Sequence, residues 1–289
     1  MNPIPPRHSR RRTILGLASV FLFAAGLAWS QEDDRLLVDD HGAPKKKAGN
    51  SGLPTLWIAG DSTVKCNFPM RGWGQDLGSF FDPKKIHVIN RAIGGRSSRT
   101  FFNEGRWQEI VDGLKPGDFV IIQFGHNDIS PLDGTGRLRG SLKGIGNDVE
   151  KVVMPDGRID DVHSFGWYLK TFARSAKAKG AQVILCSPVP RLKFTSQGGF
   201  QHDWHSQREW IRTCARAEGA AYIDLEEIIA RTYESMDRAA IENLFADHAA
   251  HTNADGALIN ARSVVTGLKR NPALSLGRYL NEEGMKIAK

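Results

Sequence analysis

Residues 55–64 read TLWIAGDSTV: a short apolar run ends at Gly60-Asp61, and a hydroxyl follows at Ser62. Bulky residues in an unbroken run match a strand buried on both faces of a parallel sheet. Outward from this stretch the same kind of run recurs. KIHVIN (85–90), DFVIIQFG (118–125) and AQVILCSPV (181–189) repeat it, and AAYIDL (220–225) is a weaker fifth copy. Helical patterns lie between them. Phe165, Tyr168, Leu169, Phe172, Ala173 and Ala176 recur at three- and four-residue steps and make one apolar face. Ala257, Leu258, Ala261, Val264, Val265 and Leu268 do the same near the C-terminus, with Thr252 expected as the cap and Asp255 completing a capping box. Strands alternating with packed helices predict an α/β domain around a mainly five-stranded parallel sheet. Residues 129–161, with PDGR inside them, and 190–204 interrupt the plan and read as a long loop or hairpin and an irregular stretch. Such excursions often wall a binding site above a rigid sheet.

The first 30 residues stand apart. RHSRRR precedes the apolar run TILGLASVFLFAAGLAW, which is short for a membrane span and is followed by small and polar residues. This is the pattern of a signal peptide over residues 1–30, with cleavage expected after Ser30. A retained anchor is the alternative. The arginines also fit a twin-arginine signal, and the expected location is periplasmic or secreted. Residues 31–52 read as a linker, and the folded domain is expected over 53–289. Residues 1–30 carry four arginines and no acid, so the formal +7 falls to 35 basic against 32 acidic residues without them. That excess is too small to argue for nucleic acid. Cys66, Cys186 and Cys214 form no disulfide framework or metal knuckle, although a single pair could form in an oxidising compartment.

The chemistry-bearing residues sit where these strands end. Ser62 is exposed by the turn after the first run, in the strand–turn–helix manner of serine hydrolases, without their G-x-S-x-G pattern. Gly94 and Gly95 in NRAIGGRSSRTF permit close backbone approach, so the Gly95 N–H could face a developing oxyanion; Arg96 and Arg99 beside it could bind a carboxylate. QFGHND offers the Asn127 amide as a second oxyanion donor, His126 as a cleft residue and Asp128 as a loop anchor. FADHAAHTNADGA places His251 just before the last helix, with Asp247 as the nearest upstream acid to orient it. Each motif alone is ordinary turn chemistry.

Together, GDST, GGRSSRTF, GHND and the terminal Asp/His segment resemble the GDSL or SGNH hydrolase superfamily, and within it the rhamnogalacturonan acetylesterase family. GWYLKTF and AKGAQVILCSPVPR add to the likeness, which spans residues 53–269. The resemblance implies a flavodoxin-like αβα sandwich and removal of O-acetyl groups from pectic carbohydrate. It implies a catalytic set of Ser62, Asp247 and His251, with an oxyanion hole of Ser62, Gly95 and Asn127. No metal or organic cofactor is required. The sequence departs from the family's D-x-x-H spacing: Asp247 and His251 are one residue further apart, and His248 takes the usual place of the acid. Asp224 is the alternate acid.

Two other readings compete. A metal-dependent hydrolase could draw on His202, Asp203, His205, Asp247, His248 and His251, but neither histidine pair forms H-E-x-x-H. A noncatalytic carbohydrate-binding protein could use Trp73, Trp107, Trp167, Trp204 and Trp210 for sugar stacking. The expected partner is an acetylated polysaccharide or oligosaccharide, rhamnogalacturonan first and acetylxylan second. Arg96, Arg99, Arg191 and Lys193 are the side chains available for uronate groups, and His126 for the sugar.

Overall fold

The computed structural model describes residue 1, residues 52–132 and residues 136–289. The expected signal peptide, its cleavage site and nearly all of the linker lie outside the described residues. The five apolar runs all form strands: β1 (Thr55–Gly60), β2 (His87–Asn90), β3 (Phe119–Gln123), β6 (Gln182–Cys186) and β7 (Ala221–Ile223). All their pairings are parallel, in the order β2-β1-β3-β6-β7. The excursion over 129–161 contains an antiparallel hairpin, β4 (Val149–Val153) and β5 (Ile159–His163), turning at Pro155-Asp156-Gly157.

Side chains leave a strand alternately to its two faces, and both faces are covered here. Leu56, Ile58, Phe119, Ile121, Ile184 and Cys186 share one core with α5 (Leu225–Glu234) and α7 (Ala254–Arg270). Ala59, Val120, Ile122, Val183 and Leu185 share the other with α2 (Arg106–Gly113), α3 (Phe165–Ala178) and α4 (His205–Glu218). The short helices α1 (Ser98–Asn103), α6 (Arg238–Glu242) and α8 (Glu282–Lys286) complete the set. This is an αβα sandwich with flavodoxin-like strand order once the hairpin is set aside. Its chain reverses direction across the sheet between β1 and β3, the place where such folds open a crevice at their strand ends.

One expected cap moves. Asn253, not Thr252, caps α7, accepting from the Gly256 N–H at 3.1 Å. The Thr252 hydroxyl instead donates to the Arg71 carbonyl at 2.9 Å, and the Arg71 N–H donates to the Thr252 carbonyl at 2.7 Å. The pair ties the segment after β1 to the segment before α7. All three cysteines are free thiols.

Gly60 shows how tightly the end of β1 is packed. A Cβ there would stand 2.4 Å from Val64 Cγ2 and 2.8 Å from the Gln123 carbonyl oxygen. Gly60→Ala should therefore destabilise the domain by about 1–3 kcal/mol through overpacking, read as a lower urea midpoint at unchanged slope.

Candidate active site

Beneath the turn after β1 lies a buried line of polar contacts, which leaves Asp61 Oδ2 without a hydrogen-bond partner among the described residues. The Asp61 carboxylate accepts from the Thr63 N–H at 2.9 Å and from the Thr63 hydroxyl at 2.7 Å. The Gln123 amide donates to that hydroxyl at 2.7 Å, and the Trp73 indole donates to Gln123 Oε1 at 2.7 Å. All four residues are buried. Backbone bonds from Val64 and Lys65 to the Asp61 carbonyl close the turn. Ser62 sits on top of it, half-buried, with its hydroxyl 2.8 Å from His251 Nε2.

His251 completes the line through its other ring nitrogen, which meets Asp247 Oδ2 in a short hydrogen bond. The longer D-x-x-x-H spacing is accommodated by the backbone. Asp247 Oδ1 accepts the N–H groups of Ala249, Ala250 and His251 at 2.9, 3.0 and 3.0 Å. The added residue is taken up by His248, whose φ of 51° puts it in the left-handed region. The loop's mouth is closed by a Phe245–Thr252 bridge, and the Ala246 N–H donates to the His251 carbonyl. Asp224, the alternate acid, lies elsewhere and is held by Arg208 and Arg212.

The glycine loop after β2 packs against the serine. A Cβ on Gly94 would lie 3.6 Å from Ser62 Cβ, and Gly95 follows at φ 80°. Neither the Ser62 N–H nor the Gly95 N–H has an acceptor among the described residues. Asn127 is buried, and its side-chain amide donates to the Arg96 carbonyl at 2.8 Å, which fixes the amide against this loop and leaves its second N–H. Asp128 fastens the whole corner: it accepts from the Ser98 N–H at 3.1 Å, from the Ser98 hydroxyl, and from the Ser141 hydroxyl at 3.1 Å. Burial pushes its carboxyl up to about 6 despite those donors.

Three further candidates separate. Arg99 is a correction: it is 1% exposed, paired with Asp160 at 2.6 Å and bonded to the Gly140 carbonyl at 2.9 Å. It pins α1 to the hairpin and offers nothing to a substrate. Arg96 is half-buried and engages Glu104 and the Gly94 carbonyl. His126 donates from Nε2 to the Val189 carbonyl at 3.1 Å and meets the edge of Trp204. Burial holds its pKa below the usual imidazole value, with Asp61 opposing the shift and Arg191 adding to it. Arg191 and Lys193 both pair with Asp203.

The histidine clusters do not assemble as a metal hydrolase would need. His202 meets Glu226, Glu227 and Glu234, away from His251. The His202, Glu226 and Glu227 ligand atoms are close enough for a cation, but the Arg208 guanidinium already spans both glutamates at 2.8 and 2.9 Å. Of the five candidate tryptophans, Trp73, Trp107 and Trp204 are buried, while Trp210 is half-buried and Trp167 is half-buried and stacked on His163. Sequence reasoning missed two features. Phe68, at the tip of the segment between Ser62 and Arg71, is 96% exposed. Arg139 donates to the Gly95 carbonyl at 2.9 Å.

A serine–histidine–aspartate line at the strand ends of a parallel αβα sheet, with two unengaged N–H groups beside the hydroxyl, is the arrangement of a serine ester hydrolase. The chain belongs to the GDSL-like Lipase/Acylhydrolase family, whose pattern matches residues 58–259, and so to the GDSL/SGNH hydrolases. It is 31% identical over 226 residues to the rhamnogalacturonan acetylesterase of Emericella nidulans, covering 76% of this chain and 89% of that one. It is 31% identical over 194 residues to the rhamnogalacturonan acetylesterase RhgT of Bacillus subtilis, covering 66% and 72%. The crystal structure of YxiM from Bacillus subtilis superposes with a TM-score of 0.61 at 31% identity, over 75% of this chain and 56% of that longer one.

The Asp247 loop makes two checkable claims. A non-glycine residue in the left-handed region costs about 1 kcal/mol. His248→Gly should leave stability unchanged or raise it by up to about 1 kcal/mol, whereas the β-branched His248→Val should lower it by more than about 1 kcal/mol; thermal unfolding reads both. Burial would raise the Asp247 carboxyl, but the hydrogen bonds from His251 and the loop N–H groups outweigh it and hold it at about 2, below the ordinary 3.8. With the folded value below the unfolded one, its contribution to stability is full above about pH 4 and is lost as pH falls through about 2. The stability gap between wild type and Asp247→Asn should therefore narrow between pH 4 and pH 2 in acid titrations of the unfolding midpoint.

Proposed function

We propose that this protein is a carbohydrate O-acetylesterase acting on acetylated pectic polysaccharide, rhamnogalacturonan first. The observation that carries the reading is the continuous hydrogen-bonded line from Asp247 through His251 to the Ser62 hydroxyl, at the rim of a family fold shared with two rhamnogalacturonan acetylesterases.

The proposed reaction is acyl transfer. His251 Nε2 accepts the Ser62 proton as the hydroxyl oxygen attacks the acetyl carbonyl. Asp247 holds the ring in the tautomer that presents a bare Nε2 and offsets the imidazolium charge as it forms. The N–H groups of Ser62 and Gly95, with the second amide N–H of Asn127, stabilise the tetrahedral oxyanion; one such donor is worth roughly 3–4 kcal/mol at the transition state. His251 then protonates the departing sugar alkoxide. Water deprotonated by the same ring releases acetate and restores Ser62. No step needs a metal or organic cofactor. The exposed Phe68 ring, carried between the serine and histidine segments, is suited to stacking on a sugar face.

The test is acetate release from defined acetylated polysaccharides. Ser62→Ala and His251→Ala should each lower kcat by at least about 1,000-fold, and Asp247→Ala by less than either. Full activity in Ser62→Ala would overturn the mechanism. Equal activity of Asp247→Ala and wild type would remove the acid from it.

A further inference from the structure

Resting on the acetylesterase reading, we infer that Arg139, assisted by Arg137, forms a carboxylate subsite against the Gly95 loop and selects a uronate-bearing sugar chain over a neutral one.

The positions follow from the loop's own anchors. After Asp128 the chain leaves the site and returns to it: the Ser141 N–H donates to the Asp128 carbonyl at 3.0 Å, and the Gly140 N–H to the Pro131 carbonyl. This return carries Arg139 against the oxyanion corner. Its Nη1 lies 2.9 Å from the Gly95 carbonyl and would stand 3.3 Å from a Cβ on Gly95, while Nε reaches the Ser130 hydroxyl at 3.3 Å. Among the described residues Nη2 has no partner, and Nη1 keeps a second N–H.

Its charge is equally unspent. The four basic side chains first expected to meet uronate groups are committed: Arg96 to Glu104, Arg99 to Asp160, and Arg191 and Lys193 to Asp203. Among the described residues, neither Arg139 nor Arg137 pairs with a carboxylate. The carboxylates that Arg139 feels, Asp61 and Asp128, are buried and turned to Thr63 and to Ser98 and Ser141. The exposed Arg137, two residues away on the same loop, adds positive charge beside it. The half-buried guanidinium can meet a planar carboxylate with Nη2 and the second N–H of Nη1, charge-assisted contacts that a neutral hydroxymethyl group cannot replace. The Gly95 N–H would face the acetyl oxyanion while Arg139 sits on the carbonyl side of the same residue, so the carboxylate bound there belongs to the acetylated sugar or its neighbour.

Ser62→Ala protein should bind oligogalacturonate more tightly than the same oligosaccharide with its carboxyl groups reduced. Adding Arg139→Gln should weaken binding of the charged oligosaccharide by about 10-fold or more, as loss of a charge-assisted pair does, and should narrow the gap to the reduced one; Arg139→Lys should lose less, and Arg137→Gln should give a smaller narrowing without disturbing Gly95. In the Ser62 enzyme, the ratio of kcat/KM for acetylated substrate before and after carboxyl reduction should fall with Arg139→Gln. No discrimination between charged and reduced oligosaccharides overturns the subsite, as does an equal loss on both in Arg139→Gln, which would mark a purely structural arginine. Wild type that discriminates in binding but releases no acetate from either substrate would instead remove the esterase reading and leave the carboxylate site standing.

Discussion

The site depends on one buried chain of hydrogen bonds: Trp73 to Gln123, Gln123 to Thr63, Thr63 to Asp61. Gln123 ends β3 and Asp61 follows β1, so the chain locks the ends of two neighbouring central strands at a fixed height. Buried polar groups cost several kcal/mol when unsatisfied, so such a network favours one arrangement over others. Ser62 stands on this support. Its position is set from below by the network, and its hydroxyl is met by His251.

The remaining pieces are brought to Ser62 by separate anchors of the same kind. Asp128 holds α1 and the loop behind it, while the Asn127 amide ties β3 to the glycine loop through the Arg96 carbonyl. Arg71 and Thr252 exchange two hydrogen bonds that keep the histidine segment beside the serine segment. The Leu192 N–H bonds the Ala249 carbonyl, joining the irregular 190–204 stretch to the Asp247 turn. Loops that are each weakly ordered by sequence become precise by being pinned at both ends to a rigid sheet.

This division explains what could be read from the sequence. The strands were legible because parallel strands buried on both sides need continuous apolar runs, and TLWIAG and DFVIIQFG admit no other placement. Ser62, Gly95, Asn127 and His251 were legible because they follow strand ends or precede the last helix. The cap of α7 was misplaced because Thr252 and Asn253 are both good caps locally, and only the distant Arg71 carbonyl, met across the fold, engages the threonine. Arg99 looked available because its partner Asp160 lies far along the chain, in a hairpin whose docking no local pattern reveals. Arg139 was passed over for the converse reason: an arginine in a glycine-rich loop is ordinary until its contact with the distant Gly95 carbonyl is seen.

The electrostatic pattern that results is asymmetric in a way acyl transfer can use. The carboxylate of Asp247 lies behind the histidine, and those of Asp61 and Asp128 lie beneath the loops. Arg139 lies against the Gly95 loop, beside the N–H proposed to meet the charge that develops on the attacked carbonyl. The Arg139 contact is to the Gly95 carbonyl, which belongs to the peptide following the one that carries the Gly95 N–H. It therefore does not polarise that N–H directly. It fixes the loop and adds a positive potential that water screens only partly at a half-buried position. An uncharged side chain there could preserve the loop's shape but not that field, which is why charge and position must be separated by comparing lysine with glutamine at this residue.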